Sequence, residues 1–153
     1  MELDKIKLKA EDLIDIIALN NDKEGFHGDG LSIPEIPEIP IKHFFADQVY
    51  IRQMNMSADQ FVVGAVHNHL HVWFLLTGKV SIIEDDETID HVAPCFTISK
   101  PGIQRVIYAH EDSIFINIHK NPENLKNIDD LEKEIVSMTK EEFNKKNNKT
   151  WDL

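Results

Sequence analysis

The chain has 153 residues, with 27 acidic side chains against 16 lysines and arginines and a formal charge of −11. That length suits one buried core, and so negative a chain repels a nucleic-acid backbone, the short "NKKNNK" run near the C-terminus being its only basic cluster. A single cysteine, Cys95, excludes an intramolecular disulfide and suits a reducing compartment, and no apolar run approaches the ~20 residues that span a bilayer, so the sequence predicts a cytoplasmic protein with no nucleic-acid or membrane partner.

Residues 3–20 place Leu3, Ile6, Leu13, Ile14 and Ile17 at spacings of three and four, which predicts an amphipathic helix. It is acidic and lacks a small-residue cleavage site, so it does not read as a signal peptide. "NNDKEGFHGDG" then reads as a loop. In "IPEIPEIP", residues 33–40, proline at every third position removes backbone donors and fixes φ, which predicts an extended arm covering a sheet edge. Residues 1–40 therefore form a helix and a proline-rich arm.

From residue 41 to 120 the pattern changes to short runs rich in Val, Ile and Phe. The candidate strands are "HFFADQVYIRQMNM", "QFVVGAVH", "HVWFLLTG", "KVSIIED", "ETIDHV", "CFTISK", "QRVIYA" and "SIFINIH". Tight connections without intervening helices predict an antiparallel sandwich or barrel. Helical spacing returns in residues 121–153, where "NIDDLEKEIV" has an acidic first turn and "TKEEF" carries a capping box at Thr139 and Glu142. The expected fold is mainly β, with helices at both ends.

The stretch "VGAVHNHLHVWFLLTGKV" holds histidines at 67, 69 and 71. On one straight strand His67 and His71 would lie roughly 13 Å apart, at about 3.3 Å per residue, and could not share a ligand. If His67 ends one strand, residues 68–70 bend the chain and His71 starts the next, both imidazoles can face one cavity. In "SIFINIH" alternation puts Phe115, Asn117 and His119 on one face and Ile114, Ile116 and Ile118 on the other. His67 and His71, with His119, make a candidate three-histidine metal site for Zn, Fe, Mn or Ni, with His69 at the bend a further candidate. The remaining histidines, 27, 43, 91 and 110, read as ordinary hydrogen-bonded or solvated side chains.

These motifs resemble the cupin superfamily of small double-stranded β-helix barrels, over roughly residues 41–119. The first cupin motif ends in a glutamate, six residues and a glycine; here His71 stands at the glutamate, "VWFLLT" supplies the six residues before Gly78, His67 falls at the second histidine, and Ala65 replaces the first. The second motif is similar to "SKPGIQRVIY", with Gly102 in place and Arg105 at the histidine position. Ala65 and Arg105 remove two of the four usual ligand positions, since arginine stays protonated and offers donors only. The combination of "IKHFFADQVYIRQMNM", "VVGAVHNHLHVWFLLTGKV", "APCFTISKPGIQRVIYAHEDSIFINIH" and "IDDLEKEIV" resembles, more narrowly, small cupin-like proteins encoded by bacteriophages and prophages. The resemblance implies a jelly-roll barrel with a pocket and a phage origin, and no particular reaction. Cupins of this size commonly pair, which implies a homodimer in which the N-terminal helix and arm cover a partner's sheet.

Arg105 shapes the functional expectation. Its planar fork suits a carboxylate or phosphate, either a protein acid, with Glu84, Glu111 and Asp112 as candidates, or a small anionic molecule stacked on Trp73, Tyr108 or Phe115 beside Asn117. Phe96 is a further candidate opposite Trp73. The chain shows no nucleophile motif, no recognisable acid–base pair and no phosphate loop. Two classes of function follow: a protein that binds a small anion, with or without a metal, and a metal-dependent enzyme acting on a small carboxylate or phosphate.

Overall fold

The computed structural model describes residues 26–27, 30–31, 39–84 and 87–148. The expected N-terminal helix and most of the proline-rich arm lie outside the described residues. A short pair, β1 (Phe26–His27) and β2 (Gly30–Leu31), precedes the barrel. The barrel strands are β3 (Ile41–Ala46), β4 (Val49–Met56), β5 (Phe61–Val63), β6 (Val66–His67), β7 (His71–Thr77), β8 (Lys79–Glu84), β9 (Glu87–Val92), β10 (Cys95–Ser99), β11 (Arg105–Ala109) and β12 (Ser113–Lys120). Helix α1 (Ile128–Ile135), the two-residue strand β13 (Val136–Ser137) and helix α2 (Lys140–Asn148) follow.

Two antiparallel sheets face one another, one in the order β10-β7-β12-β4-β3 and one in the order β5-β11-β8-β9. The core between them joins Met54, Trp73, Leu75 and Phe115 of the first to Val62, Val80, Ile82 and Ile107 of the second. Alternation produces this: in β12 Phe115, Asn117 and His119 are buried while Ile114, Ile116 and Ile118 are partly exposed. In β7 His71, Trp73 and Leu75 are buried.

Two sequence expectations need correction. "HFFADQVYIRQMNM" is a hairpin rather than one strand: Ala46 pairs with Val49, and Gln48 turns the chain at φ 58°. No glycine or proline marks that turn, which is why the run reads as continuous. The tail is not purely helical either, because β13 pairs with β6, Val136 opposite His67. The two helix starts form as expected. Asn127 Oδ1 accepts from the Asp130 amide at 3.1 Å. Thr139 Oγ1 accepts from the Glu142 amide at 3.0 Å, and Glu142 Oε2 accepts from the Met138 amide at 2.8 Å.

Gly78 makes the tight turn from β7 to β8 at φ 85°, and a Cβ there would collide with the Asp112 carbonyl and the Ser113 side chain. Gly78→Ala is therefore expected to cost about 1–3 kcal/mol from backbone strain. A lowered urea midpoint with unchanged m would show it.

Candidate functional site

His67 ends β6, His71 opens β7, and the bend between them is held by the tail. The Asn68 amide donates to the Ile135 carbonyl at 2.7 Å, its Nδ2 to the Glu134 carbonyl at 3.1 Å, and Ser137 Oγ donates to Asn68 Oδ1 at 2.6 Å. On the other side the Gly102 amide donates to the His67 carbonyl at 2.9 Å, which ties the bend to the Pro-Gly turn. The bend folds the straight-strand separation away: the His67 and His71 rings lie 4.2 Å apart, and His119 from β12 lies 5.4 Å from the first and 4.7 Å from the second.

His71 packs against the other two rings, His67 and His119, which line a cavity of about 50 Å³ at the end of the barrel. Its lining includes His67 and His119 with Arg52, Arg105, Asn117 and Glu132. Helix α1 and β13 cover that end, where Leu131, Ile135 and Val136 pack with Tyr50 and Ala65. Burial has an electrostatic result. It holds the His67 and His119 imidazoles well below their usual range, with the neighbouring imidazoles and the Arg52 and Arg105 guanidiniums adding to the effect. Burial and then Arg105 lower His71 to about 4, against the opposing pull of the His69 carbonyl and the Asn117 side chain. All three rings are neutral at physiological pH.

The polar atoms here are incompletely satisfied. Among the described residues His67 Nδ1, His71 Nε2 and Asn117 Oδ1 are enclosed and have no hydrogen-bond partner, a costly arrangement that calls for a ligand, ion or water. Neutral, enclosed imidazole nitrogens are the donor chemistry of a transition-metal site. Their present arrangement is stacked, the His67 ring lying 29° from His71 and 13° from His119. Ring faces meet, while nitrogen lone pairs lie in the ring planes. Accordingly, among the described residues no group of three or more His, Cys, Asp or Glu side chains is arranged to hold a metal ion as it stands. The donor set fits a metal, and ring rotation is what convergence requires.

Arg105, 3% exposed, has the protein acid that the sequence offered. Its Nε lies 3.1 Å from Glu84 Oε1, without hydrogen-bond alignment, and Nη2 donates to Ser99 Oγ. Burial lowers the guanidinium from its usual value and Glu84 raises it back; the group remains charged. Among the described residues Nη1 makes no hydrogen bond.

The other sequence candidates divide. Phe115 and Asn117 line the cavity. Trp73 shares the His71 face but lies deeper, stacked on Phe115 at 4.9 Å and edge-on to His91 at 5.0 Å. Tyr108 is three residues beyond Arg105 on β11, an odd offset that sends it to the opposite face, where its hydroxyl donates to Asp59 at 2.6 Å. His69 lines a separate cleft with Lys120, Asn121 and Glu134. Phe96 is 63% exposed and packs beside Phe74 at 5.4 Å, away from the cavity.

No family model and no curated protein matches the sequence. Solved structures do match in shape. A cupin 2 conserved barrel domain protein from Leptotrichia buccalis superposes with a TM-score of 0.50 at 14% identity, over 57% of this chain and 44% of that one. The fold is a cupin barrel. Further cupin-shaped neighbours are KdgF from Halomonas sp., with TM-score 0.51, 13% identity and 63% and 88% of the two chains covered, and a salicylate 1,2-dioxygenase from Pseudoaminobacter salicylatoxidans in adducts with gentisate, with 0.52, 9%, 66% and 28%. The chain spans less than half the length of the Leptotrichia and Pseudoaminobacter proteins, and at these identities the likeness carries the cupin fold alone. Within that fold both motif glycines have left-handed backbones, Gly78 at φ 85° and Gly102 at φ 83°. No described helix is long and apolar enough to cross a membrane.

Two charged lining residues, Arg52 and Glu132, are not among the sequence candidates. Arg52 shares the strand parity of the buried Tyr50 and Met54 on β4, so its inward direction is readable once the hairpin is recognised. Glu132 reaches the cavity from the tail, and no local signal announces that.

Proposed function

We propose that this cupin barrel binds a small anion of the carboxylate or phosphate class at its His67–His71–His119 end, with a divalent transition metal (Zn, Fe, Mn or Ni) taken up by the three imidazoles. The observation that carries the reading is the charge of the lining. In a chain of net charge −11, the cavity presents two guanidiniums, Arg52 and Arg105, against one carboxylate, Glu132, beside imidazoles kept neutral by burial. Guanidinium donors among neutral imidazoles and low-dielectric walls favour an anion, even with Glu84 paired to Arg105. Arg105 is held by Glu84 and Ser99 on one side and keeps Nη1 as a donor, so its fork serves both the fold and the ligand. A metal would supply Lewis acidity; Asn117 and the guanidiniums orient the anion. The small cavity restricts the ligand to a few heavy atoms.

A second reading, a metal-dependent enzyme of the oxygenase, isomerase or lyase type on the same ligand class, is favoured by Glu132, a carboxylate placed at the cavity where a proton could be taken up. A bacteriophage or prophage origin, with residence in the host cytoplasm, belongs to the proposal and rests on the sequence resemblance alone.

The test combines metal analysis of protein purified without a nickel column with thermal shifts in Zn, Mn, Ni and Fe(II). Wild type is expected to gain about 2.7 kcal/mol at a metal concentration one hundred times Kd, and His67→Ala with His71→Ala to gain nothing while staying folded. Absence of both bound metal and any shift in wild type overturns the metal. For the anion, a screen of small carboxylates and inorganic phosphate against Arg105→Lys is expected to show binding weakened by roughly 1.5–3 kcal/mol, because lysine keeps charge but loses the fork. A ligand response that survives unchanged while stability falls makes Arg105 purely structural. Conversion of a hit to product, lost with the metal, selects the enzyme.

A further inference from the structure

The cleft that His69 lines takes no part in the three-histidine site, and at about 150 Å³ it is larger than the cavity beside it. Helix α1 contributes Leu131, Glu134 and Ile135 to it, residues whose spacing of three and four sets them on one face of the helix. The end of β12 and the turn after it contribute Lys120, Glu123 and Leu125. That turn is closed by a buried side chain. Asn121, 2% exposed, donates from Nδ2 to the Leu125 carbonyl at 2.9 Å and accepts the Leu125 amide on Oδ1 at 2.9 Å, while its own carbonyl accepts the Asn124 amide at 3.0 Å. A wall held in this way is formed before any ligand arrives, which lowers the entropy lost on binding.

The lining is divided chemically. Leu131 and Ile135 are buried and Leu125 is half-buried, so they make an apolar floor. The exposed rim carries Lys120 from β12, Glu123 from the turn and Glu134 from the helix. Opposite charges thus share one small cleft, yet among the described residues Lys120 forms no ion pair with either carboxylate. Charges held apart around an apolar floor can each take the complementary charge of a ligand.

We propose that this cleft binds a free α-amino acid with a branched apolar side chain, its carboxylate on Lys120, its ammonium on Glu134 and Glu123, and its side chain on Leu125, Leu131 and Ile135. A ligand of one charge alone meets a like charge at the rim, whereas a zwitterion satisfies both signs. Size agrees. A closed cavity of about 150 Å³ holds a molecule as large as benzene, and here only the side chain has to fit inside, because the charged end stays at the rim. Ile135 lines both spaces, so a filled cleft braces the helix that covers the cavity. The proposal is independent of what the cavity itself binds.

Titration of the isotope-labelled full chain with L-leucine, followed by amide NMR, tests it; isocaproate and isopentylamine serve as probes that each lack one of the two charges. L-leucine is expected to move signals of residues 120–125 and 131–135. It should bind at least about tenfold more tightly than either single-charge probe, the scale of one charge-assisted contact at a partly exposed site. Lys120→Gln and Glu134→Gln, both at exposed positions, should each weaken leucine by about the same factor with far-UV circular dichroism unchanged. Lys120→Glu is expected to lose leucine and to take isopentylamine better than wild type, and Glu134→Lys to do the same with isocaproate. Such gains cannot come from misfolding. Absence of any signal shift with L-leucine at about 10 mM, a range that still reports millimolar binding, overturns the proposal. Leucine affinity unchanged in both glutamine variants overturns it too, as does a single-charge probe that binds wild type as tightly as leucine.

Discussion

Lowering the pH of the metal-free protein from 6.5 to about 4 is expected to remove about 3 kcal/mol of stability through His71 alone. In the unfolded chain an imidazole binds its proton near 6.5, whereas in the fold His71 does so only at about 4. Between those values the unfolded state holds more protons, so stability is complete above 6.5, falls as the pH drops, and levels off below the folded value. The interval corresponds to about 3 kcal/mol at about 1.4 kcal/mol per pH unit. His67 and His119 are lowered in the same direction by burial and by one another, so the three titrate as a coupled group and the total exceeds the single figure. Arg105 opposes protonation at all three rings and Arg52 at His67 and His119, while the His69 carbonyl and the Asn117 side chain favour it at His71. Asp90 and Glu142, lowered carboxyls, act below their ordinary carboxylate range and leave the upper part of the window to the imidazoles. Urea titrations at successive pH values in His71→Gln and His119→Gln should show a flattened slope between pH 6.5 and 4.5. An unchanged slope would mean that the rings are not held neutral. Saturating metal should also flatten it, because ligation requires the neutral ring.

Trp73→Ala is expected to cost about 3–5 kcal/mol of folding stability, the scale for deleting a large aromatic from a packed core. Trp73 is 2% exposed and stacks on Phe115, with His91 edge-on to it. Were Trp73 a stacking platform for the ligand, its loss would weaken binding and spare the fold. Its place behind the cavity predicts the reverse, a large drop in the urea midpoint with ligand affinity changed only as far as Phe115 relaxes. Equilibrium unfolding and the ligand screen, run on the same variant, separate the two.

How much of this was readable in the sequence depends on distance along the chain. The His67–His71 bend was legible because alternation and the straight-strand distance conflict, and a turn alone removes the conflict. His119 was legible from strict alternation in β12. The position of Tyr108 follows a legible rule, since residues 105 and 108 on one strand take opposite faces. Trp73 obeyed its parity, but depth within a barrel is a property of how two sheets close, which no single strand encodes. The β3–β4 hairpin stayed hidden because Gln48 adopts a left-handed backbone that the sequence does not advertise. Glu132 was out of reach for a different reason, since it meets the cavity only after β13 has paired with β6, some seventy residues earlier.

That pairing carries a consequence for how the site comes into being. Strands β3 to β12 contain the three imidazoles, yet the cover over their cavity is residues 128–137, which are made after all of those strands. While a nascent chain still lacks that cover, the rings stand open to water, keep ordinary basicity, and take up protons readily. Translation of α1 and β13 therefore changes the chemistry of residues made much earlier, converting wet, titratable imidazoles into dry, neutral donors. Any ion or anion that enters before the cover docks meets a different site from the one the finished protein presents, and the order of loading and closing becomes a property of synthesis itself.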